Sequence, residues 1–439
     1  MSRKNGTHSI IDESNFINLH SKKEDDVDNK KTACSLLLKG GRVIDPANKY
    51  DSIADVAVNA DRITHIARDI VPSSKTVVVD VQGCVVTPGL IDIHTHLFAS
   101  ANIPDAWAGD NSVYPDGFSF RTGTTTMVDA GSAGAKNFGQ FRASVIDRAK
   151  TRVYSFINIA SHGMVNDAME QESSAFDPSR TSAMAKEHSD IIVGIKSAHY
   201  WKPDWLSVDS ALEAGEKAGL PIMVDFGYFR KERPYWDLVG EKLRPGDFST
   251  HCFRGPVPVV DEAGKVYDYL FEARKRGVLF DLGHGAGSFL FRNAIPAIAQ
   301  GFPPDTISTD LHVLSMNRHL MDMPTTISKL LAVGMDLNEA IERSTSIPAK
   351  LIGHPELGTL GIGAPADIAV WNLAEGSFGF TDSCNGKLEG KVRMTCELTT
   401  LNGEIVWDWN GRSGVDYKSL PPDAGIRENL EFLVRPGCC

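Results

Sequence analysis

The sequence lacks the long hydrophobic run of a membrane-spanning helix, since no stretch approaches about 18 consecutive apolar residues. Its N-terminus lacks the basic and then apolar pattern of a secretory signal peptide. Basic residues are in the minority, with 45 Lys and Arg against 56 Asp and Glu. Because binding to a nucleic-acid backbone needs a concentrated positive surface, we expect no nucleic acid and no membrane among the partners, and a cytoplasmic location.

Cysteine is scarce and scattered along the chain. The seven cysteines are odd in number and form no Cys-x-x-Cys motif. This pattern indicates reduced thiols rather than a disulfide framework, and it excludes a zinc site built from neighbouring thiolate pairs. No motif recurs with a period of roughly 20–50 residues, so a repeat architecture is excluded as well.

The length and apolar content fit one large barrel with an accessory domain, because 439 residues with 42% hydrophobic side chains can bury a large core. Short alternating segments near both ends predict strands, which we expect to pair into a small β-sandwich with the barrel inserted between them. The predicted units are a disordered tail at 1–34, the β-sandwich at 35–86 and 357–415, the barrel at 87–356 and a C-terminal tail at 416–439.

The middle of the chain contains eight short apolar segments separated by longer segments that can form helices. This alternation is typical of parallel βα units, and eight of them predict an α/β fold of the (β/α)8 TIM-barrel type. The eight predicted strand cores lie at 89–93, 124–128, 152–158, 191–195, 221–224, 247–250, 278–282 and 306–309.

The pair His94 and His96 ends the first of these segments. Residues two apart in a strand point to the same side, so both imidazoles can reach one divalent metal ion. Active sites of such barrels lie where the strands end, and imidazoles, a lysine and aspartates follow most of the other segments too. The residues at these ends are His94, His96, Asp129, Ser161, His162, Lys196, Asp225, His251, His284, Asp310 and His312.

Residues 87–96 resemble the opening strand of the metal-dependent amidohydrolase superfamily, which includes dihydroorotases and hydantoinases. The segments 194–196, 244–253, 280–289 and 307–312 resemble its amidohydrolase/deacetylase branch. The resemblance extends over residues 35–415 and implies a barrel enzyme that hydrolyses amide or ester bonds.

The resemblance also implies a set of metal ligands. His94 and His96 would bind one ion, and Asp310 would bind the same ion and act as the catalytic base. Lys196 would be carboxylated, because a carbamate places two oxygens and a negative charge between two cations where a free ammonium repels them. His251 would bind the second ion. An uncarboxylated Lys196 that forms Schiff bases is the alternative.

Asp225 departs from the family pattern, because relatives usually have histidine at the end of the fifth strand. Its carboxylate can bind a metal through oxygen, which favours harder ions such as manganese over zinc. Alternatively, Asp225 is a hydrogen-bonding group and the enzyme uses one metal. We therefore expect one or two divalent ions, zinc in the first place and manganese as the alternative.

The expected reaction is hydrolysis of an acyl amide or ester in a small carboxylated or cyclic molecule. A metal lowers the pKa of water from about 15.7 to about 7, which supplies hydroxide as the nucleophile. Asp310 would pass the proton to the leaving group. A metal-dependent isomerase or lyase is one alternative, and a non-catalytic dihydropyrimidinase-like scaffold is another.

The substrate is expected to contact aromatic and cationic residues that follow the strands. Arginine binds carboxylates in a bidentate manner, which makes Arg230 and Arg233 candidates, and the glycine-rich segment around His284 could hold a carboxylate or an oxyanion. Tyr200 and His312 complete the predicted substrate-binding set. We expect a small molecule as substrate and a homo-oligomeric protein.

Overall fold

The computed structural model describes residues 34–101, 107–166 and 168–424. The predicted tail at 1–34, apart from Cys34, lies outside the described residues, as does the C-terminal tail beyond Ala424. The strands are β1 (Leu36–Asp45), β2 (Tyr50–Asn59), β3 (Arg62–Ala67), β4 (Val77–Asp80), β5 (Val85–Pro88), β6 (Leu90–Thr95), β7 (Thr124–Gly134), β8 (Arg152–Asn158), β9 (Ile192–Ser197), β10 (Ile222–Asp225), β11 (Phe248–Thr250), β12 (Leu279–Phe280), β13 (Ile368–Thr381), β14 (Lys387–Leu401) and β15 (Glu404–Asp408).

The two ends of the chain form one eight-stranded sheet. Its order is β15-β14-β13-β5-β1-β2-β3, and β4 pairs with β1. The strand β13 joins the two ends, because it pairs antiparallel with β5 and places Val370 opposite Val86. Alternate residues of these strands, such as Val43, Val56 and Ile368, are buried in one apolar cluster. The burial of this face explains why distant segments share a sheet.

The barrel consists of the parallel strands β6 to β12, which neighbour one another in chain order. Residues 306–311 take the eighth position, with parallel bridges from Thr306 to Asp281 and from Leu311 to Thr95. The predicted α/β barrel is confirmed, although its eighth strand is irregular. Asp310 explains the irregularity, because its φ of 51° lies in the left-handed region and interrupts the ladder.

Helices cover the outside of the barrel. They are α1 (Trp107–Asn111), α2 (Phe138–Ser144), α3 (Pro178–Glu187), α4 (Leu206–Ala218), α5 (Tyr235–Asp237), α6 (Asp268–Arg276), α7 (Phe291–Ala299), α8 (Val313–Met316), α9 (Met323–Val333), α10 (Leu337–Glu342) and α11 (Ser346–Leu351). In α4 the buried residues Val208, Ala211 and Ala214 recur with helical spacing and pack into the main core. None of the described helices has the length and apolar character needed to cross a membrane.

Candidate active site

The carboxyl ends of the first and eighth barrel positions bring three potential metal ligands together. His94 and His96 come from β6, and Asp310 comes from the closing segment. Asp310 Oδ1 lies 3.0 Å from His96 Nε2 and 3.6 Å from His94 Nε2. One donor atom from each residue lies within 4.8 Å of the others, a spacing that could hold a metal ion. The structure therefore brings together two potential ligands, His96 and Asp310, that are 214 residues apart in sequence.

The other ring nitrogens of the two histidines are engaged by buried neighbours. His94 Nδ1 lies 2.8 Å from Thr250 Oγ1 and 3.3 Å from Asp281 Oδ2. His96 Nδ1 lies 3.1 Å from Ser132 Oγ. These contacts orient the rings, so that both Nε2 atoms face Asp310.

The charge states at the centre suit a cation. Burial, followed by the charge of Lys196, lowers the pKa of His94 to about 3, so its imidazole is neutral. Burial alone would raise the pKa of Asp310, but the charge of His312 and the hydrogen bond from His96 hold it well below its ordinary value. A neutral imidazole and an ionised carboxylate are the forms that bind metals.

Lys196 from β9 points into the same centre. Its Nζ lies 3.2 Å from His94 Nε2 and 3.4 Å from Met223 Sδ, and the side chain is fully buried. Burial lowers the pKa of the lysine, which favours the neutral amine.

His251 follows β11 and has a φ of 60°, a strained value for a residue other than glycine. Its Nδ1 donates to the carbonyl oxygen of Gly283 at 2.6 Å. The remaining nitrogen, Nε2, lies 3.5 Å from Asp225 Oδ2. The ring centroids of His251 and His94 are 5.0 Å apart, so His251 borders the same centre.

Asp225, at the end of β10, belongs to a network of ion pairs. Its Oδ1 accepts a hydrogen bond from Arg254 Nη1 at 2.9 Å, and its Oδ2 lies 3.5 Å from His199 Nε2. Burial would raise the pKa of this carboxyl group, but the charges of His251 and Arg254 hold it well below its ordinary value. The carboxylate therefore already has cationic partners on both oxygens.

His199 extends this network to Glu170, whose Oε2 lies 2.8 Å from His199 Nδ1. Burial would lower the pKa of His199, but the charge and the hydrogen bond of Glu170 together with the charge of Asp225 outweigh burial and raise the pKa to about 9. Sequence reasoning placed His199 among the loop residues near the substrate, but it missed Glu170 and Arg254. The position of Arg254 in the sequence could have indicated a role, because it lies three residues after His251, beyond the end of the same barrel strand.

A cavity of about 150 Å³ opens over these groups. Its wall includes the ligand candidates and, in addition, Trp107, Met164, His199, Arg254, Ser288 and His312. The ring of Trp107 meets His96 edge-on at 4.9 Å, and it lies 5.2 Å from His312. His312, a predicted substrate contact, therefore lies at the cavity.

Four other predicted substrate contacts do not line this cavity. His284 is buried and its Nε2 lies 2.9 Å from Lys329 Nζ. The hydroxyl of Tyr200 donates to Asp204 at 2.6 Å.

The two predicted arginines also bond to protein groups outside the cavity. Arg233 is buried, donates to the carbonyl oxygens of Tyr200 and Tyr228, and lies over aromatic rings. The exposed Arg230 donates to the carbonyl oxygen of Trp201. These groups hold loops together outside the cavity lining, and their contact with substrate stays a prediction.

Known proteins resemble this chain over most of its length. The amidohydrolase family matches residues 291–406. A deacetylase of Agrobacterium fabrum is 34% identical over 355 residues, which cover 78% of this chain and 84% of the relative. A deacetylase of Enterococcus faecalis is 30% identical over 381 residues, which cover 85% and 99%.

Solved structures of other enzymes are similar to this chain in fold as well. An adenine deaminase superposes with a TM-score of 0.77 at 29% identity, over 86% of this chain and all of that chain. A dihydroorotase superposes with a TM-score of 0.73 at 29% identity, over 85% of this chain and 99% of that chain.

Proposed function

This chain belongs to the amidohydrolase superfamily, and from that premise we propose that it removes the acyl group from a small carboxylated amide, as a deacetylase does. In coarser terms it is a metal-dependent hydrolase that acts on carbon–nitrogen bonds of small molecules. The main support for the proposal is the convergence of His94, His96 and Asp310. These three residues lie together at the carboxyl ends of barrel strands and line one cavity.

The trio fits a divalent ion by its chemistry. Neutral imidazoles and an ionised carboxylate are ordinary zinc ligands, and the buried contacts of both Nδ1 atoms leave Nε2 for the ion. When bound, the ion polarises the carbonyl group of the substrate and acidifies water. We propose zinc, with manganese as the alternative.

We propose that Asp310 moves the proton of the reaction. Its carboxylate is ionised and borders the cavity, so it can accept a proton from the attacking water. The water oxygen forms a bond to the acyl carbon, the carbon–nitrogen bond breaks, and Asp310 returns the proton to the leaving nitrogen. One water is consumed, and one acid and one amine are produced.

Arg254 supplies the positive charge for a carboxylated substrate. It lines the cavity, and its Nη1 is held by Asp225 at 2.9 Å. About a quarter of the side chain remains exposed, which leaves other guanidinium N–H groups facing the cavity. Arginine recognises carboxylates by such paired donors, so we assign to Arg254 the role that the sequence analysis predicted for Arg230 and Arg233.

Lys196 is proposed to be carboxylated. Its neutral amine would bond to the carbon of carbon dioxide and release a proton, and burial favours that neutral form. The carbamate would join His251 as a ligand of a second ion, and Asp225 would have to exchange its ion pair with His199 for the ion to complete this ligand set. Elemental analysis distinguishes one ion from two, and a carbon-13 signal after incubation with labelled bicarbonate tests the carbamate.

The remaining proposals concern location and assembly. The described cysteines, Cys34, Cys84, Cys252, Cys384 and Cys396, are free thiols, which suits a cytoplasmic protein. Light scattering during gel filtration tests the proposed homo-oligomer. Neither the isomerase or lyase alternative nor the scaffold alternative gains support from the relatives described above.

The decisive experiment combines metal analysis with kinetics of Asp310→Asn. Purified protein is assayed with N-acyl amino acids, acylated hydroxy acids and cyclic amides after loading with zinc or manganese. We expect turnover that chelation abolishes, and a loss of about 10²–10⁴-fold in kcat for the variant. A metal-free active protein, or a variant with unchanged turnover, would overturn the proposal.

A further inference from the structure

The glycine-rich loop at 283–288 packs tightly against two groups of the candidate metal centre. A Cβ atom on Gly285 would lie 2.4 Å from Asp310 Oδ2, and one on Gly283 would lie 2.7 Å from His251 Nδ1. Both glycines have positive φ, and the Gly283 carbonyl accepts the 2.6 Å hydrogen bond from His251. The loop therefore determines where Asp310 and His251 sit, and its far end, at Ser288, lines the cavity.

His284 faces away from the cavity and meets a buried lysine. Lys329, on α9, is 1% exposed, and its Nζ donates to His284 Nε2 at 2.9 Å. Lys329 also donates to the carbonyl oxygen of His319. Burial, followed by the charge of Lys329, lowers the pKa of His284 well below its ordinary value, so the imidazole is neutral and Nε2 accepts.

The rest of the His284 ring is fixed as well. Its Nδ1 lies 2.9 Å from the carbonyl oxygen of Gly285, and its face stacks on Phe289 at 4.7 Å with an interplanar angle of 19°. The backbone of Phe289 is bonded in both directions to Ser383, in the turn between β13 and β14. The loop is thus held on its outer side by α9 and by the sheet of the chain ends.

The burial of Lys329 calls for an explanation, because transfer of an amine out of water costs free energy unless the amine forms hydrogen bonds in the protein. Packing alone would be served by methionine, which has a similar length and no polar group. The polar atom of Lys329 instead makes a directed hydrogen bond to the one side chain that projects outward from the loop. A lysine at this position therefore indicates that the hydrogen bond to His284, and not the buried volume of the side chain, is what the fold requires.

We propose that Lys329 is a positioning residue, whose hydrogen bond to His284 holds the 283–288 loop in the conformation that seats Asp310 and His251. This inference rests on the proposed function, since the loop matters through the groups that it seats. Lys329 itself does not line the cavity, so it acts through His284 and not on the substrate.

The test compares Lys329→Met with Lys329→Gln and with Lys350→Met, a control on an exposed lysine of α11. We expect Lys329→Met to lower kcat by about 10–100-fold with little change in KM, as removal of a partner that orients a metal-site group does. Lys329→Gln keeps an N–H donor and should recover part of kcat. Equal activity of all three variants and the wild type, or equal losses in the Met and Gln variants, would overturn the proposal.

A double-mutant cycle with His284→Phe separates the hydrogen bond from general packing. The phenylalanine retains a flat ring for Phe289 but offers no acceptor to Lys329. In that background Lys329→Met should cost less than about threefold in kcat, because the interaction is already absent. Full additivity of the two losses would contradict a positioning role through His284.

Hydrogen–deuterium exchange tests whether Lys329 holds the 283–288 loop without any measurement of catalysis. In Lys329→Met the amides of residues 283–289 should exchange at least about tenfold faster, while the β1–β2 hairpin stays unchanged. Unchanged loop exchange would overturn the inference. If the wild type hydrolysed no acyl amide, the proposed function would fail, and the exchange result would still decide the role of Lys329.

Discussion

At the scale of single residues, the site depends on which groups are charged. The metal-ligand candidates pair a neutral His94 with an ionised Asp310. His199, Asp225 and Arg254 line the same cavity, and Glu170 pairs with His199 behind them. The first group suits a cation, and we propose that the guanidinium of Arg254 binds an anionic substrate.

Arg254→Lys tests the anionic subsite. We expect KM for a carboxylated amide to rise about tenfold or more, because lysine keeps the charge but loses the paired donors. The carboxamide analogue of the same substrate should show a smaller rise in KM. Arg292→Lys, an exposed position on α7, is the matched control. Equal effects of Arg254→Lys on both substrates would contradict the assignment.

Lys329 should give stability a dependence on pH. Burial lowers its pKa from 10.5 to about 7, so between these values the unfolded chain binds the proton and the folded chain does not. The free energy of unfolding therefore rises with pH across this window, by up to about 1.4 kcal/mol per pH unit. Urea unfolding of the wild type and Lys329→Met at several pH values checks this, since the variant should lack this component. Parallel curves would contradict it.

At the scale of elements, the irregular eighth position is held by side chains rather than by a regular ladder. Buried Asp92 on β6 accepts hydrogen bonds from the backbone N–H and the hydroxyl of Thr309, the residue before Asp310. The element that presents the catalytic candidate is thus tied to the strand that presents both histidines.

Asp92→Ala removes the hydrogen bonds between β6 and Thr309 and should destabilise the protein. The buried N–H of Thr309 would lose its partner, which costs about 1–3 kcal/mol of unfolding free energy. Metal affinity should fall too, because Asp310 would no longer be fixed relative to His94 and His96. Urea unfolding and metal titration measure the two effects. Asp80→Ala, at an exposed position of β4, is the control. An Asp92→Ala protein as stable as this control would refute the argument.

At the scale of the whole molecule, the sequence predicted the barrel well, because each strand is a short buried run and the chemistry follows at its end. His94, Lys196, His251 and Asp310 could be placed for that reason. The roles of Arg233 and His284 could not, because they depend on contacts with Tyr200 and Lys329 that no local pattern encodes. The division into a unit at 35–86 with 357–415 and a barrel at 87–356 remains a proposal.

The central claim is that His94, His96 and Asp310 hold a divalent ion at the mouth of the barrel. Anomalous diffraction from crystals of the zinc-loaded or manganese-loaded protein tests it most directly. The account predicts an anomalous peak bonded to both Nε2 atoms and to the Asp310 carboxylate. Full metal loading with no peak among these three residues, or with the peak elsewhere, would contradict it.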